Sequence, residues 1–124
     1  MKNFDNQTPI FQQIVEHVLS QIAKGELGLG EKMPTVRNMA AEYKVNPNTM
    51  QKSLEKLGDM GFLYTERTSG RFVTEDAEKI VALKREIPQK MTQNFVKEMR
   101  DFGVASEEIL EYVEEGIAAK TTPQ

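Results

Sequence analysis

The spacing of apolar residues predicts that the chain begins with an amphipathic helix. From Ile10 to Ile22, apolar side chains recur three and four positions apart, which places them on one face of a helix. Thr8 suits the capping position before such a helix, Pro9 suits its first residue, and Gly25 suits the position just beyond its end. We therefore expect a first helix between Pro9 and Gly25.

A loop and a second helix are expected next. Residues 25–34 are rich in glycine and predict a loop whose apolar side chains fill the core: Leu27, Leu29 and Met33. Thr35 can cap the second helix. The inward side of that helix would carry Val36, Met39, Ala40 and Tyr43. Lys44 and Val45 would then make a tight turn.

The third helix and a hairpin complete this part of the pattern. Asn46 can cap the third helix and Pro47 suits its first position. Its apolar stripe at positions i, i+4 and i+7 consists of Met50, Leu54 and Leu57. Gly61 would end it, and residues 62–66 and 71–73 predict two short strands joined by a turn at 67–70.

The remainder of the chain predicts helices alone. One apolar stripe runs through Ile80, Leu83 and Ile87, and Pro88 would then kink the helix or restart it. A second stripe follows, made of Met91, Phe95, Met99 and Phe102. After Gly103, Ser106 can cap a last helix with an apolar face of Ile109, Val113 and Ile117. The tail after Ala119 is expected to fray.

Together these elements predict a mainly α fold with a small β-hairpin wing. The order helix, turn, helix, hairpin within Thr35–Val73 is typical of a winged helix-turn-helix, which inserts one helix into the DNA major groove. We expect a DNA-binding domain in residues 1–76 and a short helical dimerisation region in residues 77–124. The reading helix would be the third one.

Composition excludes several other classes of function. The chain has no cysteine, one histidine, and no apolar run long enough to span a membrane, and its first residues lack an export signal. No nucleophile, phosphate-loop or metal motif is present, so we expect no enzyme activity, no metal and no cofactor. His17 is expected to have a structural role. These features fit a cytoplasmic protein.

Charge is unevenly distributed along the chain. The net charge is −3, but residues 32–71 hold seven basic and four acidic residues, a local charge of +3. The bases are Lys32, Arg37, Lys44, Lys52, Lys56, Arg67 and Arg71. From Asp101 onward there are six acids and a single lysine. A basic segment in an acidic chain indicates where a polyanion would bind.

The outward face of the third helix predicts how DNA would be read. At about 100° per residue, Asn48 and Lys52 point away from the apolar stripe and Gln51 lies on its flank. Asn and Gln can pair with adenine, and Lys can reach guanine or phosphate. Adding the second-helix start and the wing gives the predicted DNA-binding residues Thr35, Arg37, Asn46, Asn48, Thr49, Gln51, Lys52, Arg67, Gly70 and Arg71.

Residues 8–76 resemble the DNA-binding domain of the GntR family of bacterial transcription regulators. The strings that carry the resemblance are PIFQQIVEHVLSQIAKGELGLGEKMPTVRNMAAEY, VNPNTMQKSLEKL and GFLYTERTSGRFV. VNPNT and the short helical C-terminal part are most similar to the YtrA-like subfamily. The resemblance implies a homodimeric repressor of a palindromic operator, with DNA contacts at Arg37, residues 46–52 and Gly70. Pro47 and Gln51 stand where many members have arginine, which suggests a different operator sequence.

Three interpretations remain open, of which the first two concern the C-terminal stripes and the third concerns the winged helix. The first is dimerisation through Ile80, Leu83, Ile87, Met91, Phe95, Met99, Phe102, Ile109 and Val113. The second is a sensor that binds an unknown small-molecule effector at the helical dimer interface. Dimerisation is favoured over this sensor, because two or three helices rarely enclose the roughly 300 Å³ that a ligand pocket needs. The third is an adaptor whose winged helix binds protein.

Overall fold

The structure, a computed structural model, describes residues 9–119. Its elements are α1 (Ile10–Ala23), α2 (Val36–Tyr43), α3 (Pro47–Asp59), β1 (Leu63–Glu66), β2 (Gly70–Val73), α4 (Ala77–Asp101) and α5 (Ser106–Ala119). This mainly helical architecture with one hairpin confirms the predicted fold class. The described residues form two compact units, 9–83 and 84–119, which divide within α4. We call them the winged-helix unit and the C-terminal unit.

The core of the winged-helix unit is built from the predicted apolar stripes. Ile14 and Val18 of α1 pack with Met50, Leu54 and Leu57 of α3, and all five side chains are inaccessible to solvent. Burying a side chain of this size stabilises a fold by about 1.5–3 kcal/mol relative to exposure. α3 is therefore fixed by its inner face, which leaves the opposite face available to solvent.

Local hydrogen bonds set where α2 and α3 begin. Thr35 Oγ1 accepts a hydrogen bond from the Asn38 N–H at 3.1 Å, and Asn46 Oδ1 accepts one from the Asn48 N–H at 2.7 Å. Both predicted caps are thus confirmed. Lys44 ends α2 in a left-handed conformation, with φ of 59°, which makes the tight turn between the two helices. At the start of α1, Pro9 is the capping residue rather than the first helical one, and Thr8 lies outside the described residues.

The wing has an edge that the sequence pattern did not indicate. β1 pairs with β2 in antiparallel register, with Leu63 opposite Val73 and Glu66 opposite Gly70. Residues 31–33, expected to be loop, run along the other edge of β2. Three residues are too few to show an alternating pattern, and their pairing partners lie about forty positions away in sequence. Leu29, expected in the core, is 51% exposed.

In the C-terminal unit, α4 continues through Pro88 without a restart. The proline ring removes one helical N–H, but Thr92 Oγ1 donates to the Pro88 carbonyl at 2.9 Å and helps to hold the next turn. Ser106 is the first residue of α5 rather than its cap. The preceding Ala105 N–H donates to Glu108 Oε1 at 3.1 Å, which satisfies that N–H at the start of the helix.

No helix within residues 9–119 has the length and hydrophobicity needed to cross a membrane.

Candidate nucleic-acid interface

The face of α3 that points away from the core is polar at its N-terminal end. Asn48 and Lys52 are exposed, and Thr49 and Gln51 are half-buried on the flanks. These residues share the first turns of the helix, where reading helices contact base edges. Asn46 is also exposed, but its Oδ1 is used in the cap. Its amide N–H groups are the part that can reach DNA.

Two of the predicted contact side chains are held by neighbours. The Lys52 ammonium lies 4.8 Å from the centroid of the Phe11 ring, which is a cation–π distance. Gln51 Nε2 donates to Glu55 Oε2 at 2.8 Å. Using both ends of the Gln51 amide on adenine would require this bond to break.

A buried serine ties the middle of α3 to α1. Ser53 is fully buried, and its Oγ lies 2.9 Å from the Thr49 carbonyl and 3.2 Å from the Phe11 carbonyl. The hydroxyl bonds the preceding turn of its own helix and the start of α1. The contact with α1 joins residues 42 positions apart, and neither helix's own pattern indicates it. α1 therefore supports both the backbone of α3 and the position of Lys52.

Arg37 lies in the first turn of α2 and is exposed. Within the described residues, it has neither a hydrogen-bonded nor an ion-paired partner on its side chain. The guanidinium is therefore available for a phosphate or a base edge. α2 packs against α3, so Arg37 lies on an element fixed directly to α3.

The wing carries one cation at its tip and one on a face. Arg67 is exposed in the turn, and Gly70 follows it with φ of 113°, a conformation that suits glycine. Arg71 is half-buried and points into an open groove of about 510 Å³ between α3 and the hairpin. The groove is lined by Leu54, Glu55, Gly58, Asp59, Leu63, Tyr64, Thr65 and Arg71. Glu55 and Asp59 also line this groove, and neither forms a salt bridge with Arg71 in the described part of the chain.

An aromatic pair stacks across the two strands of the hairpin. Tyr64 and Phe72 are stacked, with ring centroids 5.6 Å apart, and the Tyr64 hydroxyl donates to Glu75 Oε2 at 3.4 Å. Partial burial and the charge of Glu75 raise the pKa of Tyr64. The stack stiffens the hairpin that carries the tip.

The predicted dimerisation residues divide into two groups. Leu83 is 5% exposed in the winged-helix core, where Ile80 also packs, and Ile109 is 5% exposed in the C-terminal unit. Leu83 and Ile109 therefore have almost no surface for a second copy, which corrects their expected role as direct contacts. Large apolar side chains remain exposed on α4 and α5 and between them: Ile87, Met91, Phe95, Phe102, Leu110, Tyr112, Val113 and Ile117. Met99 is half-buried.

Comparison with known sequences places the chain in a family. Residues 10–73 match the model of bacterial regulatory proteins of the gntR family. The chain is 37% identical to the uncharacterized HTH-type transcriptional regulator YhcF of Bacillus subtilis, over 87% of this chain and 89% of YhcF. It is 29% identical to the HTH-type transcriptional repressor YtrA of the same organism, over 89% and 85% of the two chains.

Solved structures agree with this assignment. A GntR family transcriptional regulator from Listeria monocytogenes superposes with a TM-score of 0.84 and 35% identity, over 90% of this chain and 98% of that one. The DNA-binding domain of AraR, solved in complex with operator ORR3, superposes with a TM-score of 0.53 and 26% identity, over 60% of this chain and 89% of that one. The chain belongs to the GntR family of DNA-binding transcriptional regulators, which are not enzymes, and matches its YtrA-like subfamily.

Proposed function

We propose that the protein is a homodimeric repressor that binds a palindromic operator in the cytoplasm. The observation that carries the proposal is the exposed polar start of α3, flanked by Arg37 and by the wing on elements that pack directly against α3. Its DNA contacts would come from Thr35, Arg37, Asn46, Asn48, Thr49, Gln51, Lys52, Arg67, Gly70 and Arg71. The named repressor function of the relative YtrA supports repression over activation.

Homodimerisation through the C-terminal unit forms the second part of the proposal. Exposed apolar residues lie four positions apart on α4 at Ile87, Met91 and Phe95, and α5 adds Val113 and Ile117. A second copy could cover these side chains with its own equivalent face, as two-fold symmetry requires. A two-fold axis would also suit a palindromic operator, whose half-sites lie about 34 Å apart on one side of the duplex.

DNA binding is tested with single-residue variants and a salt titration. A duplex selected by the wild-type protein from random-sequence DNA serves as the probe. We expect Arg37→Ala and Lys52→Ala to weaken binding and each to reduce the salt slope by about 0.9 per chain if it neutralises one phosphate. Lys24→Ala is the matched control, because Lys24 ends α1 and is paired with Glu26 at 3.4 Å. Wild-type slopes in both variants would refute their assignment.

Dimerisation is tested by placing a charge on the apolar face of α4. Phe95 is 41% exposed, and Phe95→Asp should give monomers in sedimentation and weaken operator binding indirectly. Gln93→Asp is the matched control, since it adds the same charge to an exposed polar position of the same helix. If Phe95→Asp sediments as a dimer, α4 does not form the interface.

A further inference from the structure

The stem of Lys32 lies across the wing. A Cβ at Gly70 would lie 3.3 Å from the Cε atom of Lys32, so the last carbon of the lysine stem covers the glycine backbone. The ammonium is bonded to that carbon and is therefore beside the first residue of β2. Glycine at this position has a second role besides its φ of 113°, because it leaves space for the lysine stem.

Backbone pairing fixes the position from which this lysine extends. Lys32 forms an antiparallel bridge with Phe72. The hydrogen bonds on either side of the bridge run from the Met33 N–H to the Arg71 carbonyl at 2.8 Å and from the Val73 N–H to the Glu31 carbonyl at 2.9 Å. Lys32 and Phe72 are thus a non-hydrogen-bonded pair, whose side chains lie close together on one face. Gly70 is the diagonal neighbour on that face.

Lys32 and Arg71 lie on opposite faces of the wing, and each face also carries acidic side chains: Glu66 and Glu75 near Lys32, Glu55 and Asp59 in the groove with Arg71. Lys32 is exposed, and no described side chain forms a salt bridge or hydrogen bond with its ammonium. Arg71 alternates to the opposite face of β2 and shares the groove with Glu55 and Asp59. Arg67 is therefore the cation of the tip, Lys32 the cation of the face that carries Gly70, and Arg71 the cation of the groove.

We propose that Lys32 is a phosphate-binding residue of the wing, placed beside its tip by the edge pairing of residues 31–33 and by Gly70. The ligand is the phosphate backbone of duplex DNA, so this inference rests on the proposed function. A lysine contact of this kind adds affinity without reading sequence. The Lys32 contact also gives a role to the loop that connects α1 to α2, which carries no other predicted DNA contact before Thr35.

The test compares two substitutions of Lys32 in the full chain, using the duplex selected by the wild-type protein. Lys32→Met retains an unbranched stem over Gly70 without the charge, and should reduce the salt slope by about 0.9 per chain. Lys32→Arg should keep the wild-type slope. Lys97→Met is the control, since Lys97 lies in the C-terminal unit and is paired with Asp101 at 2.7 Å.

The outcomes separate this inference from the proposed function. A wild-type slope in Lys32→Met, together with a reduced slope in Arg37→Ala, would overturn the role of Lys32 and leave operator binding intact. An equal loss in Lys32→Met and Lys32→Arg would also overturn it, because a phosphate accepts either cation. If the wild-type protein binds no duplex at any salt concentration, both proposals fail.

Discussion

The contact between Phe11 and Lys52 should be measurable as an interaction energy in folding. The ammonium lies 4.8 Å from the ring centroid, inside the limit of about 6 Å for a cation–π interaction. Lys52 is exposed and Phe11 half-buried, so we expect the lower part of the known range, about 0.5–1 kcal/mol. That energy corresponds to about a two- to fivefold change in the folding equilibrium constant.

A double-mutant cycle isolates this energy from the packing of the ring. The four proteins are the wild type, Phe11→Leu, Lys52→Met and the double variant, each unfolded in urea at one fixed protein concentration. Phe11→Leu alone should cost more than the coupling energy, because the ring also packs against the core. The bond from Ser53 Oγ to the Phe11 carbonyl involves the backbone and should persist in all four proteins.

A mismatched pair provides the control. Lys79 lies 4.8 Å from the Phe62 ring, so Phe11→Leu and Lys79→Met affect separate contacts and should be additive. A coupling between Phe11 and Lys52 below about 0.2 kcal/mol would refute the interaction. Coupling of equal size in the mismatched pair would show that the cycle reports general destabilisation instead.

Two further predictions concern a cap and a buried phenol. Asn46→Ala should lower the free energy of unfolding by about 1 kcal/mol by removing the cap, whereas Asn46→Asp should keep the stability and weaken DNA binding by repelling phosphate. Urea denaturation and mobility shifts check both, and wild-type affinity in Asn46→Asp would remove Asn46 from the interface. Burial, aided by the charge of Glu42, raises the pKa of Tyr43 to about 12. The neutral Tyr43 phenol should contribute fully to stability below pH of about 10, and this contribution should be lost as the pH rises to about 12. Denaturation at several alkaline pH values should show a smaller loss of unfolding free energy in Tyr43→Phe than in the wild type.

Features set by local sequence were predictable in this chain. Thr35 and Asn46 cap helices because their side chains reach backbone N–H groups two or three residues away, and the stripe Met50, Leu54, Leu57 follows from helical geometry alone. The spacing of apolar residues also placed Leu83 and Ile109 on the apolar faces of their helices. It could not show which surface would cover them, because that depends on tertiary packing.

Features that join distant segments could not be predicted in this way. The edge pairing of residues 31–33, the contact of Phe11 with Lys52 and the bond from Ser53 to α1 each link positions about forty residues apart. Pro88 illustrates a different limit. Proline usually interrupts a helix, but the surrounding turns of α4 form on both sides of it and keep the helix continuous.

The distribution of cations links DNA affinity to dimerisation. If Arg37, Lys52, Arg67 and Lys32 each neutralise one phosphate, a single chain would give a salt slope of about −3.6, and a dimer would give about −7. The cations stand on four separate elements, so a single chain spreads a modest charge over a broad surface. Two linked copies would double the number of phosphates that are contacted at once. A monomeric Phe95→Asp variant should therefore retain about half of the wild-type slope.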